Sequence, residues 1–207
     1  MPEAVVFDVM GTLFDLSPLR DRLRAAGAPE GSLEAWFGRM LHGSASLTLV
    51  GEFRPFREVG KSSLESVLEQ LGADVSKADE ILQGLGELDP YPDVAVAFDH
   101  LRAAGVRIAT LTNGAEDHTR RLLARAQLED AVELVIAVDE VRAYKPHAAP
   151  TTTLQRGWGC RSIESHSSLR TAGTSSVRVR PASGPSGSIG SSGGGRFRSR
   201  SPSEQRR

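Results

Sequence analysis

Three short apolar runs, separated by helix-like sequence, constrain this chain more than any other feature in it. They are "AVVF" at residues 4–7, "VRIATLT" at 106–112 and "ELVIAV" at 133–138. The first is apolar throughout, half β-branched, and runs into a Gly-containing turn, as a buried strand does. Ahead of the second run, "DVAVAFDHLRAAG" places Val94, Phe98 and Leu101 on one helical face. Between the second and third, "AEDHTRRLLARA" opens with Glu116 and Asp117 and carries its arginines later, as the helix dipole prefers. Strand and helix in alternation imply right-handed crossovers and a parallel sheet. In such a sheet ligands bind beyond the carboxyl ends of the strands.

Between the first two strands lies a long helical region, from about Pro18 to Glu87. In "SSLESVLEQLG", Leu64, Val67, Leu68 and Leu71 recur at helical spacing, and Gly72 can take the left-handed stop position. Gly27 and Gly105 each close an "LRAAG" stretch in the same way. The fold class expected is therefore α/β with a helical insertion after the first strand.

Each strand end carries a polar motif. Asp8 follows the first strand in "VVFDVMGTLFD", Thr112-Asn113-Gly114 closes the second, and Lys145 follows the third in "RAYKPH". Alone, each has an ordinary reading: a carboxylate capping a loop, an Asn-Gly turn, a surface lysine. The ordered set on converging strand ends is far rarer than its parts, and it points to one site.

"FDVMGTLFD", "LTNG" and "YKPH" resemble the first three motifs of the haloacid dehalogenase-like hydrolase superfamily, most closely its 2-haloacid dehalogenase branch. The resemblance covers about residues 1–150. It implies a Rossmann-like core from residues 1–14 and 93–150, with residues 15–92 as a helical cap. It implies Asp8 as a nucleophile that displaces halide and forms an ester, with Lys145 holding it ionised and Thr12 beside them as the third catalytic residue. Met10, Gly11, Thr112 and Asn113 would bind substrate. Arg39, in "EAWFGRMLHG", falls at the spacing where these dehalogenases place a halide-binding arginine. Trp36, Phe37, Phe53 and Phe56 are candidates to line an apolar pocket, ordinary packing being the alternative. His42 and His118 belong to no motif, and Asp15 is expected only to cap the next segment.

Met10 separates the branches. Phosphatases of this superfamily place a second Asp two residues after the nucleophile, because a departing alkoxide needs a proton. Methionine has none to give, whereas halide leaves unprotonated. The acidic pair that would hold Mg²⁺ after the third motif is also missing, so no metal or cofactor is expected; Mg²⁺ belongs only to a phosphate-ester alternative. The expected partners are a small 2-halo acid and water, and the resemblance adds a homodimer.

From Thr151 the chain changes character. Ten Arg against two Glu, with no Lys, give that segment +8 and leave −9 for residues 1–150 of the total −1. "SGPSGSIGSSGGG" and "RFRSRSPSEQRR" offer little apolar surface to offset chain entropy, so residues 151–207 are expected to be a disordered low-complexity tail. The switch to Arg, Ser, Gly and Pro is also what a GC-rich gene yields out of frame. A non-catalytic remnant with a nucleic-acid-binding tail is the competing reading, but Phe197 is the only aromatic among the terminal arginines and base stacking is poorly supported. Position 151, where relatives commonly carry Tyr, is Thr; neither Glu164 nor Glu204 follows an apolar strand, and the fourth family motif is not recognisable. Its loss would leave "AVVF" with an open edge, for which "SVRVRP", with Val177 and Val179 alternating, is the sole strand-like substitute. No apolar run approaches the roughly 20 residues that span a bilayer. The N-terminus lacks a basic start and cleavage site, and the single Cys160 forms no internal disulfide; a cytoplasmic protein is expected.

Overall fold

The computed structural model describes residues 4–158, 162–167 and 175–180. β1 (Ala4–Phe7), β2 (Arg107–Thr112) and β3 (Leu134–Ala137) form the expected parallel sheet, with β2 in the middle. Val5 stands opposite Ile108, and Thr110 opposite Val135. α5 (Val94–Ala103) precedes β2, and α6 (Glu116–Arg125) crosses from β2 to β3. Because alternate strand residues face opposite sides, the sheet feeds two cores. Ile108 and Val135 join Phe98, Leu122 and Leu123 in the larger; Val6, Ala109, Leu111 and Ile136 form the smaller. α7 (Ala148–Trp158) packs on the sheet beside β3. It approaches closely because Gly157 has no side chain: a Cβ there would stand 2.9 Å from Leu134 Cδ2.

Where the sequence gives a tail without structure from residue 151, α7 runs on to Trp158. Beyond it, β4 (Ser162–Ser167) and β5 (Ser175–Arg180) pair antiparallel. β5 also lies antiparallel against β1, Val6 opposite Val177, so the sheet order is β3-β2-β1-β5-β4. The alternating Val177 and Val179 thus lie in the strand that supplies partners for the backbone groups of an otherwise open edge. Cys160, Phe197 and Glu204 lie outside the described residues.

The insertion contains α1 (Leu19–Ala25), α2 (Ser32–Leu49), α3 (Phe56–Gln70) and α4 (Ala78–Gln83). On α3, Leu64, Val67 and Leu68 are buried at helical spacing, and Gly72 stops the chain with φ 67°. α2 and α3 lock together through Trp36, fully buried, whose Nε1 donates to Gly60 O at 2.9 Å. The chain leaves the sheet domain and returns side by side: Asp15 N donates to Asp89 O and Tyr91 N to Leu13 O, both at 3.0 Å. Among the described residues no helix is long and apolar enough to cross a membrane.

Candidate active site

Asp8 is the first residue beyond β1, where the strand gives way to a tight loop. Val9 O accepts from the N–H groups of Leu13 at 2.9 Å and Phe14 at 3.1 Å, folding the loop back on itself. Gly11 makes this possible with φ 77°, a region costly for any side chain. Its N–H donates inward to Phe14 O at 2.9 Å, and that of Thr12 to Val9 O at 3.3 Å. These two backbone donors are therefore engaged inside the loop and not turned to a ligand. Gly11 shapes the turn and does not line the cleft.

The three strand ends do converge. Lys145 Nζ donates to Asp8 Oδ1 at 2.5 Å and to Leu111 O at 2.8 Å, while Thr12 Oγ1 donates to Asp8 Oδ2 at 3.2 Å. Asn113 Oδ1 accepts from Lys145 N at 2.9 Å. That commits the oxygen end of the amide and leaves its NH₂ end for a ligand. Thr112, buried, accepts from Gly114 N through Oγ1 at 3.0 Å, so its own hydroxyl proton remains to donate. Asp8 and Lys145 have side chains 30% and 26% exposed: reachable from the cleft, yet shielded enough for their attraction to count.

Lys145 is also held from the insertion. Its neighbour Tyr144 is fully buried; Tyr144 N donates to Thr48 Oγ1 on α2 at 3.0 Å, and the phenol donates to Arg54 O. Phe53 stacks on the ring at 5.2 Å, Phe56 packs at 5.9 Å, and the Arg142 guanidinium lies 4.9 Å over Phe53. Burial, reinforced by the Asp139 and Glu58 carboxylates, raises the Tyr144 phenol well above its ordinary range and keeps it a donor.

Between the strand ends and the insertion lies a cleft of about 530 Å³. Its floor is Asp8, Met10, Thr112, Asn113, Gly114 and the Lys145-Pro146 pair; its roof is Phe37, Leu41, His42 and Ala45 of α2 with Phe56 of α3. Met10 lines the cleft and also packs on the core beneath. Among the described residues, Asp8 is the one carboxylate in the lining, and no cluster of His, Cys, Asp or Glu could hold a metal ion.

Arg39 is not brought to this site. It is exposed and bonds α3 instead, donating to Ser66 Oγ at 3.1 Å and Gln70 Oε1 at 2.8 Å. The reason is helical phase: two residues past Phe37 is about 200° around α2, the far side from the cleft. Of the four aromatic candidates, Phe37 and Phe56 line the pocket and Trp36 and Phe53 pack elsewhere. Leu41, His42 and Ala45 were not foreseen as lining. The available signal was the i, i+4, i+8 stripe Phe37-Leu41-Ala45 running beside the buried stripe Trp36-Met40-Ser44. Asp15 caps as expected, accepting from Ser17 N at 2.9 Å.

The model of the haloacid dehalogenase-like hydrolase family matches residues 2–153. The (S)-2-haloacid dehalogenase of Xanthobacter autotrophicus is 37% identical over 71% of this chain and 59% of its own length. For (S)-2-haloacid dehalogenase 1 of Pseudomonas sp. (strain CBS-3) the identity is 32%, over 69% of this chain and 65% of the relative. The solved L-2-haloacid dehalogenase of X. autotrophicus superposes with TM-score 0.70 at 35% identity, covering 78% of this chain and 66% of that one. The same enzyme with chloropropionic acid covalently bound gives 0.68 at 33%, with the same coverage. This chain thus spans about 59% to 65% of the length of the two curated relatives.

Proposed function

The chain belongs to the haloacid dehalogenase-like hydrolase family, and from its site we propose that it breaks the carbon–halogen bond of a 2-halo carboxylic acid through an ester on Asp8. Asp8 attacks the α-carbon along the line opposite the halogen. The new C–O bond forms as the halide leaves with the bonding pair, inverting that carbon. Water then adds to the ester carbonyl, returning the carboxylate, a 2-hydroxy acid and a proton. Lys145 aims Oδ2 by holding Oδ1. Thr12 steadies the attacking oxygen, the Thr112 hydroxyl and Lys145 meet the substrate carboxylate, and the Asn113 NH₂ group meets the departing halide.

One observation carries this reading: a carboxylate held by a lysine, at the floor of a cleft whose described lining offers no second acid. A phosphate ester needs a proton for its leaving alkoxide and a cation against like-charge repulsion. A halide needs no proton, and a 2-halo acid brings one negative charge where a phosphate monoester brings two. The covalent chloropropionic acid in the X. autotrophicus enzyme supports the ester step. With no second carboxylate in the described lining to orient water, the ester is expected to form faster than it is hydrolysed.

Intact-mass measurement after incubation with 2-chloropropionate tests this. A persistent adduct, absent in Asp8→Asn, is the expected result. Mg²⁺-dependent phosphate release by a folded protein that never takes up the adduct overturns the proposal.

A further inference from the structure

The two walls of the cleft differ in chemistry, and the difference bears on the substrate. Among the described lining residues every polar side chain, His42 apart, belongs to the floor. The roof presents Phe37, Leu41, Ala45 and Phe56, which Met10 faces from below. Arg39, the one cation the roof was expected to bring, is bonded to α3 on the far side of α2. A halogen and a carboxylate are both met by the floor, leaving the roof with nothing to do for an acid of two or three carbons. In a cleft of about 530 Å³ such an acid would leave room for about 15 waters at roughly 30 Å³ each, spread against apolar side chains. Water so placed is readily displaced by hydrocarbon.

We infer that the acid taken here carries an unbranched apolar substituent of about three to six carbons on C2, lying along the Phe37-Leu41-Ala45 stripe. This rests on Asp8 as the attacking group. Cavities of this size hold ligands considerably larger than propionate. Each methylene moved from water onto the roof strengthens capture about threefold to fourfold.

The experiment follows the second-order rate of adduct formation by intact mass, across 2-bromopropionate, 2-bromobutanoate, 2-bromohexanoate and 2-bromooctanoate. A rise of about thirtyfold from the propionate to the hexanoate is expected, three methylenes having been added. Leu41→Gln is expected to flatten that rise. Leu41 is 38% exposed, so the variant keeps its fold, which circular dichroism verifies. Adduct formation that is level or falling with chain length overturns the inference while leaving Asp8 its role. A rise that Leu41→Gln does not alter overturns it as well, because the substituent would then lie elsewhere. Neither adduct nor halide release with any of the four acids overturns the reading of Asp8 itself, and the inference with it.

Discussion

The floor and the roof of the cleft are built on different terms. On the floor, Asp8, Thr112, Asn113 and Lys145 each bond another group at the strand ends, and Thr12 bonds Asp8, over distances of 2.5–3.2 Å. On the roof, apolar side chains project from one stripe of α2, and the nearest strong tie to the floor is the Tyr144 contact with Thr48 and Arg54. Hydrogen bonds fix atoms to within fractions of an ångström, whereas apolar contact fixes only a volume. The floor can thus set the reaction while the roof sets what fits, and each can be changed without rebuilding the other.

Substitutions can break or sharpen this division. The largest effect belongs to Asp8→Asn, which removes the nucleophile; adduct and halide release should fall by about 10⁴-fold or more, read by intact mass and halide assay. Lys145→Met comes next. It leaves the carboxylate without its aimed cation and should slow adduct formation by about 10²- to 10³-fold with the circular dichroism spectrum unchanged. Tyr144→Phe probes the tie between the walls. The ring stack survives but the bond to Arg54 O is lost, at about 1 kcal/mol in urea unfolding. Because Lys145 is the next residue, an adduct rate about fivefold lower should accompany it. An unchanged rate would show that the floor needs no help from above.

A pH series examines the same seam on its other side. His118 of α6 lies against the Leu85 backbone of the insertion, and among the described residues its Nε2 is buried without a partner. Burial first, then the Arg121 charge, lowers its imidazole below the ordinary value. The unfolded chain therefore takes up a proton below about pH 6.5 that the folded chain refuses. Stability is full above that pH and declines as pH falls through it towards the folded value. Urea midpoints at pH 7.5 and pH 5 should show the decline, and His118→Leu should reduce it. The smallest effect is that of Arg39→Ala. Adduct rates should stay within about twofold and stability within about 0.5 kcal/mol, since an exposed side chain bonded to Ser66 and Gln70 touches neither wall.

What could be read from the sequence follows the same line. Asp8, Asn113 and Lys145 sit at the ends of strands, and in a parallel sheet those ends coincide whatever the surrounding packing, so motif order alone located the floor. The roof depends on rotation about a helix axis. With Trp36, Phe37, Arg39 and Met40 within little more than one turn of α2, spacing from the nucleophile could not tell which of them faces the cleft. The contact of Thr48 with Tyr144 joins residues 96 apart through a hydroxyl, and no local pattern announces it. β5 gave only its Val177 and Val179 alternation, and alternation says nothing of strand direction.

The paired backbones at Leu13–Asp15 and Asp89–Tyr91 have a consequence for how such a chain can be rebuilt. Because its two ends meet across a pair of hydrogen bonds, the whole helical excursion is a cassette. A counterpart from another family member, joined at the same two points, would bring a new lid provided it restored the contacts with Tyr144 and the shared core.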